Sequence, residues 1–304
     1  MDLVHTLMVS PPPGPEVIST LFQRHGVPGA WAPLEATGIA NYIYATEDVV
    51  LRLATDHSEG VRDARTESVA APVVYAAGIR TPRMLAWDDS REIVDGPYSL
   101  WERVHAETLG LYLPDARMAQ AAWRELGAEI ALLHETVTVC PDPNGWLDEP
   151  GYGDPRDHLE TAARTGLVAA EDCASVGRWL RHLEPFAVAP PRVRFLHGDL
   201  HSMNVMCTKE GHLAAVIDWG DAGWGDIAFD FSDTPAHAFE AMLDGYSERA
   251  PEAAADGTLR GRILWARLSR LLARVAWGNW EEARMRELLE FAADPPARWR
   301  PFCP

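Results

Sequence analysis

The spacing of apolar residues changes character near residue 105. Before it, the runs WAPLEAT, ANYIYAT and DVVLRLA, all within residues 30–54, are short and rich in aromatic and β-branched side chains. They are separated by Gly38 and by Glu47-Asp48, a pattern that predicts three strands. Two further strands are predicted over 84–87 and 98–104, on either side of the turn-rich DDSREIVDGP. Helices are predicted over 16–25, stopped by Gly26, and over 59–77, closed by Gly78 with Pro82 beyond. After residue 105 the repeat lengthens. Trp123, Leu126, Ile130, Leu133 and His134 share one helical face over 115–137. Beyond the Pro/Gly/Asp-rich CPDPNGWLDEPGYGDPRD, helices are expected over 157–166 and 171–186. Apolar positions 264, 265, 268, 271, 272, 275 and 276 stripe another helix. Its arginines 267, 270 and 274 read as the solvated back of a helix packed on the domain. The chain is thus α+β and two-lobed: a small β-rich lobe over 1–104, ending in the joining strand, and a larger, mostly helical lobe over 105–304.

One stretch of the helical half breaks its rule. In VRFLHGDLHSMNVMCTKEGHLAAVIDWGDAGWGD, residues 193–226, two apolar runs at 193–196 and 213–217 read as neighbouring strands of a hairpin, and each runs into acids. Asp199 and Asp218 therefore stand at strand tips, where a packed sheet fixes the backbone while the carboxylate faces a cleft. Asn204 lies five residues after Asp199 across a tight loop. Asn204 and Asp218 offer two oxygen ligands of the kind Mg²⁺ takes alongside substrate phosphates, which leaves Asp199 to accept a proton from a hydroxyl. His197, Asp199 and His201 also have the look of a metal trio for a hydrolase. No further His/Asp/Glu cluster is spaced to complete that site.

H-x-D-x-x-x-x-N followed by a strand and an Asp resembles the catalytic loop and metal-binding Asp of protein kinases. FLHGDLHSMN and VIDWGDAGWGDIAFD resemble more closely the two signature blocks of the aminoglycoside phosphotransferase family of kinase-like small-molecule kinases. The resemblance covers most of the chain and implies a protein-kinase-like two-lobed fold that uses ATP, with GTP open, and Mg²⁺. It implies that Asp199 is the catalytic base, that Asn204 and Asp218 are Mg²⁺ ligands, and that His197 braces the loop; His201 receives no role. In the small lobe, ATGIANYIY at 36–44, with Gly38 and Asn41, resembles the nucleotide loop. Arg52 stands on the third strand where the family usually has a lysine, and Glu67 fits its helix partner. Backbone groups around Glu102 to Val104 would hydrogen-bond adenine. No GxxxxGK[ST] occurs, which removes ordinary P-loop kinases. Arginine in place of lysine raises the alternative of a nucleotide-binding pseudokinase. Composition argues against it. Lys209 is the only lysine among 27 basic residues, so a general exchange of Lys for Arg accounts for the position.

Charge narrows the acceptor. The net charge of −18 disfavours nucleic acid as a partner and favours cations. Between 197 and 233 seven acids face one base, and between 142 and 172 eight acids face two arginines. Glu281 and Glu282 follow Trp277 and Trp280. An anionic cleft with aromatic walls suits a cationic hydroxylated small molecule, an aminoglycoside or a basic cyclic peptide of the capreomycin–viomycin type. Asp226, Asp230, Glu281 and Glu282 are its candidate contacts; for Asp226 and Asp230 the alternative is to cap and brace the helix after Gly225. A choline, homoserine or methylthioribose kinase is the alternative function. The first residues lack a basic segment and a long apolar core, and no run of about 18 apolar residues occurs, so neither a signal peptide nor a membrane span is expected. Four scattered cysteines without a CxxC pair suggest a cytoplasmic enzyme, and no obligate protein partner is inferred.

Overall fold

The two-residue repeat of the first hundred positions is realised as an antiparallel sheet. The computed structural model describes residues 11–34, 40–112, 116–276 and 281–304. Helix α1 (Pro15–Arg24) begins on a proline, whose fixed φ suits a first helical turn. It is followed by β1 (Ala32–Leu34), β2 (Asn41–Ala45), β3 (Val49–Ala54), α2 (Ser58–Ala76), β4 (Met84–Asp88) and β5 (Tyr98–Glu102). The sheet order is β1-β2-β3-β5-β4. Successive side chains of a strand face opposite sides. In β3 that alternation sends Leu51 and Leu53 into a small core with Ile18, Leu21, Tyr98 and Leu100, and Arg52 to the other face, toward α2.

The larger half comprises β6 (Glu107–Thr108), α3 (Ala116–Thr136), α4 (Pro155–Thr165), α5 (Ala170–Leu183), β7 (Arg194–Leu196), β8 (Val205–Cys207), β9 (Leu213–Val216), β10 (Gly223–Gly225), α6 (Phe239–Arg249), α7 (Pro251–Ala254), α8 (Leu259–Ala276) and α9 (Glu282–Ala293). Helices α3 and α6 cross closely because Gly127 and Gly245 face each other's helix: a Cβ on Gly127 would collide with the Met242 carbonyl, and one on Gly245 with that of Arg124. Their core carries Trp123, Leu126, Ile130, Phe231, Met242 and Tyr246, all essentially buried.

Two expectations are corrected here. The runs at 193–196 and 213–217 are not partners in one hairpin. Strand β7 pairs with β10, Leu196 opposite Gly223, while β9 pairs with β8, Val216 opposite Val205. Strand β8 is only three residues long, too short to show a period, and the turn at 208–211 closes it onto β9. Secondly, Arg267 and Arg270 are not solvated; each is 2% exposed. Among the described residues no helix is long and apolar enough to cross a membrane.

Candidate active site

Strand pairing sets the site. Because Val205 lies opposite Val216, Asn204 meets Ile217, whose N–H donates to the Asn204 carbonyl at 2.9 Å. Asp218 is the next residue, at φ 69°, a left-handed conformation that Asp tolerates better than most side chains. At the other tip Gly198 has φ 86°, and a Cβ there would collide with the Asp221 carbonyl, so the passage requires glycine. The His197 ring ties both tips together. Its Nε2–H donates to the Ile217 carbonyl at 2.9 Å, and its Nδ1 accepts the Asp199 N–H at 3.3 Å. Beneath the loop, the amides of His197 and Gly198 each donate to the Asp230 carboxylate at 3.0 Å. Asp230 also bonds His134 Nε2 at 3.1 Å, and His134 Nδ1 meets the Tyr246 hydroxyl at 3.0 Å. Burial alone would raise the Asp230 pKa; His134, His197 and the Gly198 amide outweigh it and hold the carboxyl below its ordinary value.

Asp199 is gripped from both sides. Its Oδ1 accepts from Arg270 Nη2, and its Oδ2 lies 3.2 Å from His201 Nε2 and 3.4 Å from Asn204 Nδ2. His201 Nδ1 accepts the Met203 N–H at 3.1 Å, so Nε2 carries the hydrogen that faces Asp199. Burial would push this carboxyl up, but the His201 hydrogen bond and the Arg270 charge hold it well below the usual range, so it is ionised at any working pH. Arg270 continues to Asp233 Oδ2 at 3.3 Å and lies over the Tyr152 ring at 5.3 Å. Asp233 also holds Arg284 at 2.5 Å.

Facing this pair, Arg52 spans two carboxylates with separate nitrogens. Nη1 meets Glu67 Oε1 at 2.5 Å and Nη2 meets Asp218 Oδ1 at 2.9 Å. Burial disfavours the guanidinium charge, but the two acids outweigh it and raise the Arg52 pKa. The Trp219 N–H adds a bond to Glu67 Oε1 at 3.3 Å. Oxygen donors remain for a cation. Asn204 donates through Nδ2 to the Asp199 carbonyl at 2.9 Å, which leaves its Oδ1, and Asp218 has Oδ2 left on a side chain 43% exposed. Hard oxygen donors of this kind fit Mg²⁺. The histidines do not fit a metal trio, because all four ring nitrogens of His197 and His201 are spent inside the loop.

The sequence model of the phosphotransferase enzyme family matches residues 36–288. The chain belongs to that family. A hygromycin-B 4-O-kinase from Escherichia coli is 35% identical over 116 residues, which cover 36% of this chain and 34% of that enzyme, so the match spans about a third of the relative's length. Among solved structures, the GDP complex of wild-type aminoglycoside 2'-phosphotransferase-IIIa superposes with a TM-score of 0.62 at 16% identity, over 90% of this chain and 94% of that one. The streptomycin–ATP ternary complex of APH(2")-IIa gives 0.59 at 15%, over 90% and 94%. A choline/ethanolamine kinase family protein from Mesorhizobium loti gives 0.61 at 18%, over 94% and 91%. At such identities the likeness is one of fold. The fold is kinase-like, as the sequence led us to expect.

The structure of this phosphotransferase family member brings together Arg52, Glu67, Asp199, Asn204 and Asp218, with His197 beneath them. Asn41 opens β2, opposite Ala54. Glu102 ends β5 with its side chain on Arg83 at 2.9 Å, and Val104 follows just past the strand. Gly38, Trp277 and Trp280 lie outside the described residues. The four candidate acceptor acids each have a partner within the chain, and Asp230 has no exposed surface from which to meet an acceptor. Asp226 caps a 3₁₀ turn through the Ala228 N–H at 3.0 Å and pairs with Arg262 at 2.7 Å. Asp230 is fully buried under the loop. Glu281 is held by Arg274 and by Arg284 at 3.1 Å, and Glu282 sits exposed beside Arg286. Each acid was counted from sequence without the arginine or amide that faces it.

A different acidic group is assembled by the fold around Arg62. Asp63, Asp148 and Asp221 surround Arg62 at 3.1, 4.0 and 3.2 Å. Burial, then the nearby charges of Asp199 and Asp63, pushes Asp221 up to about 8. Burial also pushes Asp63 up to about 6 against the pull of Arg62. These three come from α2, the loop before α4 and the loop after β9, so no local pattern announces them. Arg270 and Asp233 reach Asp199 from distant segments in the same way, whereas His201, in the loop itself, shows its part only through the contact it makes with Asp199.

Proposed function

We propose that this chain transfers the γ-phosphoryl group of ATP, or of GTP, to a hydroxyl of a cationic small molecule, an aminoglycoside-like antibiotic before a basic cyclic peptide of the capreomycin–viomycin type, and so inactivates it. The observation that carries the proposal is the Asp199 carboxylate, fixed from both sides by Arg270, His201 and Asn204, with Asn204 Oδ1 and Asp218 Oδ2 left for a cation. Asp199 orients the acceptor hydroxyl and takes its proton as the new O–P bond forms. Arg52, fixed by Glu67, lies against the phosphates, and backbone groups at 102–104 receive the adenine. Mg²⁺, when bound through Asn204 and Asp218, supplies charge neutralisation on the transferring group. A cationic acceptor is supported by Asp63, Asp148 and Asp221, three acids around one arginine close to Asp199, where a bound cation would favour the ionised forms that burial disfavours. The names of relatives that act on or bind hygromycin B and streptomycin point the same way.

The likeness to a choline/ethanolamine kinase family protein favours a second reading, a metabolite kinase whose acceptor carries a single ammonium. A coupled ADP-release assay with ATP and Mg²⁺ separates the two, run on hygromycin B, other aminoglycosides, capreomycin, viomycin, choline, ethanolamine and homoserine. Turnover dependent on an aminoglycoside is expected. Turnover on choline or ethanolamine alone would move the assignment to the second reading, and silence across the panel would reject both acceptor classes.

A further inference from the structure

The base lacks a cationic neighbour of its own. Residues 199–204, Asp-Leu-His-Ser-Met-Asn, contain neither lysine nor arginine, and the fixed charge on Asp199 arrives from α8 instead. Arg270 is buried, with its guanidinium paired to Asp199 and Asp233 and stacked over Tyr152. Among the described residues its Nε–H is buried without a hydrogen-bond partner. Removing a guanidinium from water is costly, and a buried ion pair seldom stabilises a fold more than apolar side chains of the same volume would. Its neighbour one helical turn away behaves differently. Arg267 is equally buried and its Nε–H is likewise without a partner, but its guanidinium bonds the carbonyls of Ser232 and Thr234, lies over the Phe239 ring and pairs with Glu287 at 3.6 Å, none of them in the loop at 197–204.

We propose that Arg270 is a positioning residue for phosphoryl transfer, braced by Asp233, which locks the orientation of the Asp199 carboxylate. This rests on the reading of Asp199 as the base. The torsion that turns a carboxylate about its Cβ–Cγ bond is broad, so its orientation must be imposed from outside. His201 and Asn204 grip Oδ2, and Arg270 grips Oδ1 from the far side. Oδ2 accepts twice and Oδ1 once, so Oδ1 keeps a lone pair, and the hydroxyl to be phosphorylated is met by a carboxylate that cannot swing away. Asp233 keeps the guanidinium in place and is itself held by Arg284 of α9.

The test is a double-mutant cycle on Asp199 and Arg270, with hygromycin B as acceptor and, in parallel, water, read as acceptor-independent ADP release. Arg270→Ala should lower kcat about 100-fold, the scale of a misplaced catalytic group. The KM for ATP and for hygromycin B should move less than about threefold, and Arg270→Lys should recover at least about tenfold of the loss. In an Asp199→Asn background, Arg270→Ala should change kcat by less than about twofold, because there is no longer a base to position. An undiminished effect in that background, a rise in KM with kcat intact, or wild-type turnover of Arg270→Ala would each overturn the proposal. Wild-type turnover of Asp199→Asn alone would instead sink the assignment of the base. If Arg270→Ala does not fold, Arg270→Gln and Arg270→Lys take its place. Urea unfolding of the same cycle needs no acceptor: coupling of at least about tenfold in the folding constant is expected, and additive effects would show that no such grip exists.

Discussion

The two sides of the cleft solve the problem of buried charge in opposite ways. On one side a single guanidinium, Arg52, is shared between Glu67 and Asp218, and carboxylate oxygen is left over. On the far side of Asp199 the acids are interleaved with arginines, Asp199 with Arg270, Asp233 with Arg270 and Arg284, and Glu281 with Arg274 and Arg284. The first arrangement keeps a negative surplus that a metal–phosphate unit can take up. The second is close to neutral despite its acidic sequence. A count of carboxylates therefore says little about field; what matters is which of them lack a dedicated cation.

The largest effect should follow from breaking the shared side. Arg52→Ala leaves Glu67 and Asp218 without their cation, and losing one member of a buried pair costs about 3–5 kcal/mol. We expect kcat/KM for ATP to fall about 1,000-fold. Arg52→Lys should fall between, with about a tenfold loss, because one ammonium cannot meet both acids through separate nitrogens as the guanidinium does. Steady-state kinetics in ATP for the three proteins decides it. A fully active lysine variant would show that only charge matters at Arg52, and that the two sides differ in number rather than in geometry.

Next comes Asp230, the acid expected at the acceptor and found beneath the loop. Asp230→Ala strips the amides of His197 and Gly198 of their acceptor and should cost about 3 kcal/mol in urea unfolding. Its folded pKa is depressed, so its contribution is fully present above the ordinary aspartate value and is lost as pH falls below it. Melting temperatures from pH 3 to 7 should converge for wild type and variant at the acid end. An unchanged stability with a raised acceptor KM would restore Asp230 to the substrate side.

What was readable in the sequence follows the same division. Asp199, Asn204 and Asp218 stand out because strand ends and a short loop fix their separations, whereas Arg52 and Glu67 are marked only by the resemblance to the phosphotransferase family. Strand β8 was invisible: Val205-Met206-Cys207 is too short to show alternation, and its loss gave β7 the wrong partner. The arginines of α8 sit three and four residues apart, the spacing of a solvated helix face, and nothing local reveals that this face packs on the catalytic loop. The cluster of Asp63, Asp148 and Asp221 is assembled by tertiary contact across three separate segments. Asp226 and Asp230 carried both readings in sequence; Asp226 does cap the turn after Gly225, while Asp230 braces the loop at His197 and Gly198 instead of that turn.

The smallest expected effect is at Asp221, in the cluster around Arg62, where three acids share one guanidinium. Its folded pKa lies near 8, above the ordinary aspartate value, so the fold disfavours its ionised form. At pH below the ordinary value both folded and unfolded states are protonated and no penalty exists. The penalty grows as pH rises and is complete only above about 8. Asp221→Asn should thus stabilise the free protein at pH 8.5 and leave it unchanged at pH 4. About a third of the side chain faces solvent, so the gain is about 1 kcal/mol rather than the full value of the shift. The same substitution should raise KM for a cationic acceptor several-fold while the KM for ATP stays put. Stability gained together with acceptor affinity lost would identify a carboxylate kept, against the interest of the fold, for a positive ligand. If Asp221→Asn instead destabilises at pH 8.5, the Arg62 pair dominates, the surplus vanishes, and the acceptor wall is neutral throughout.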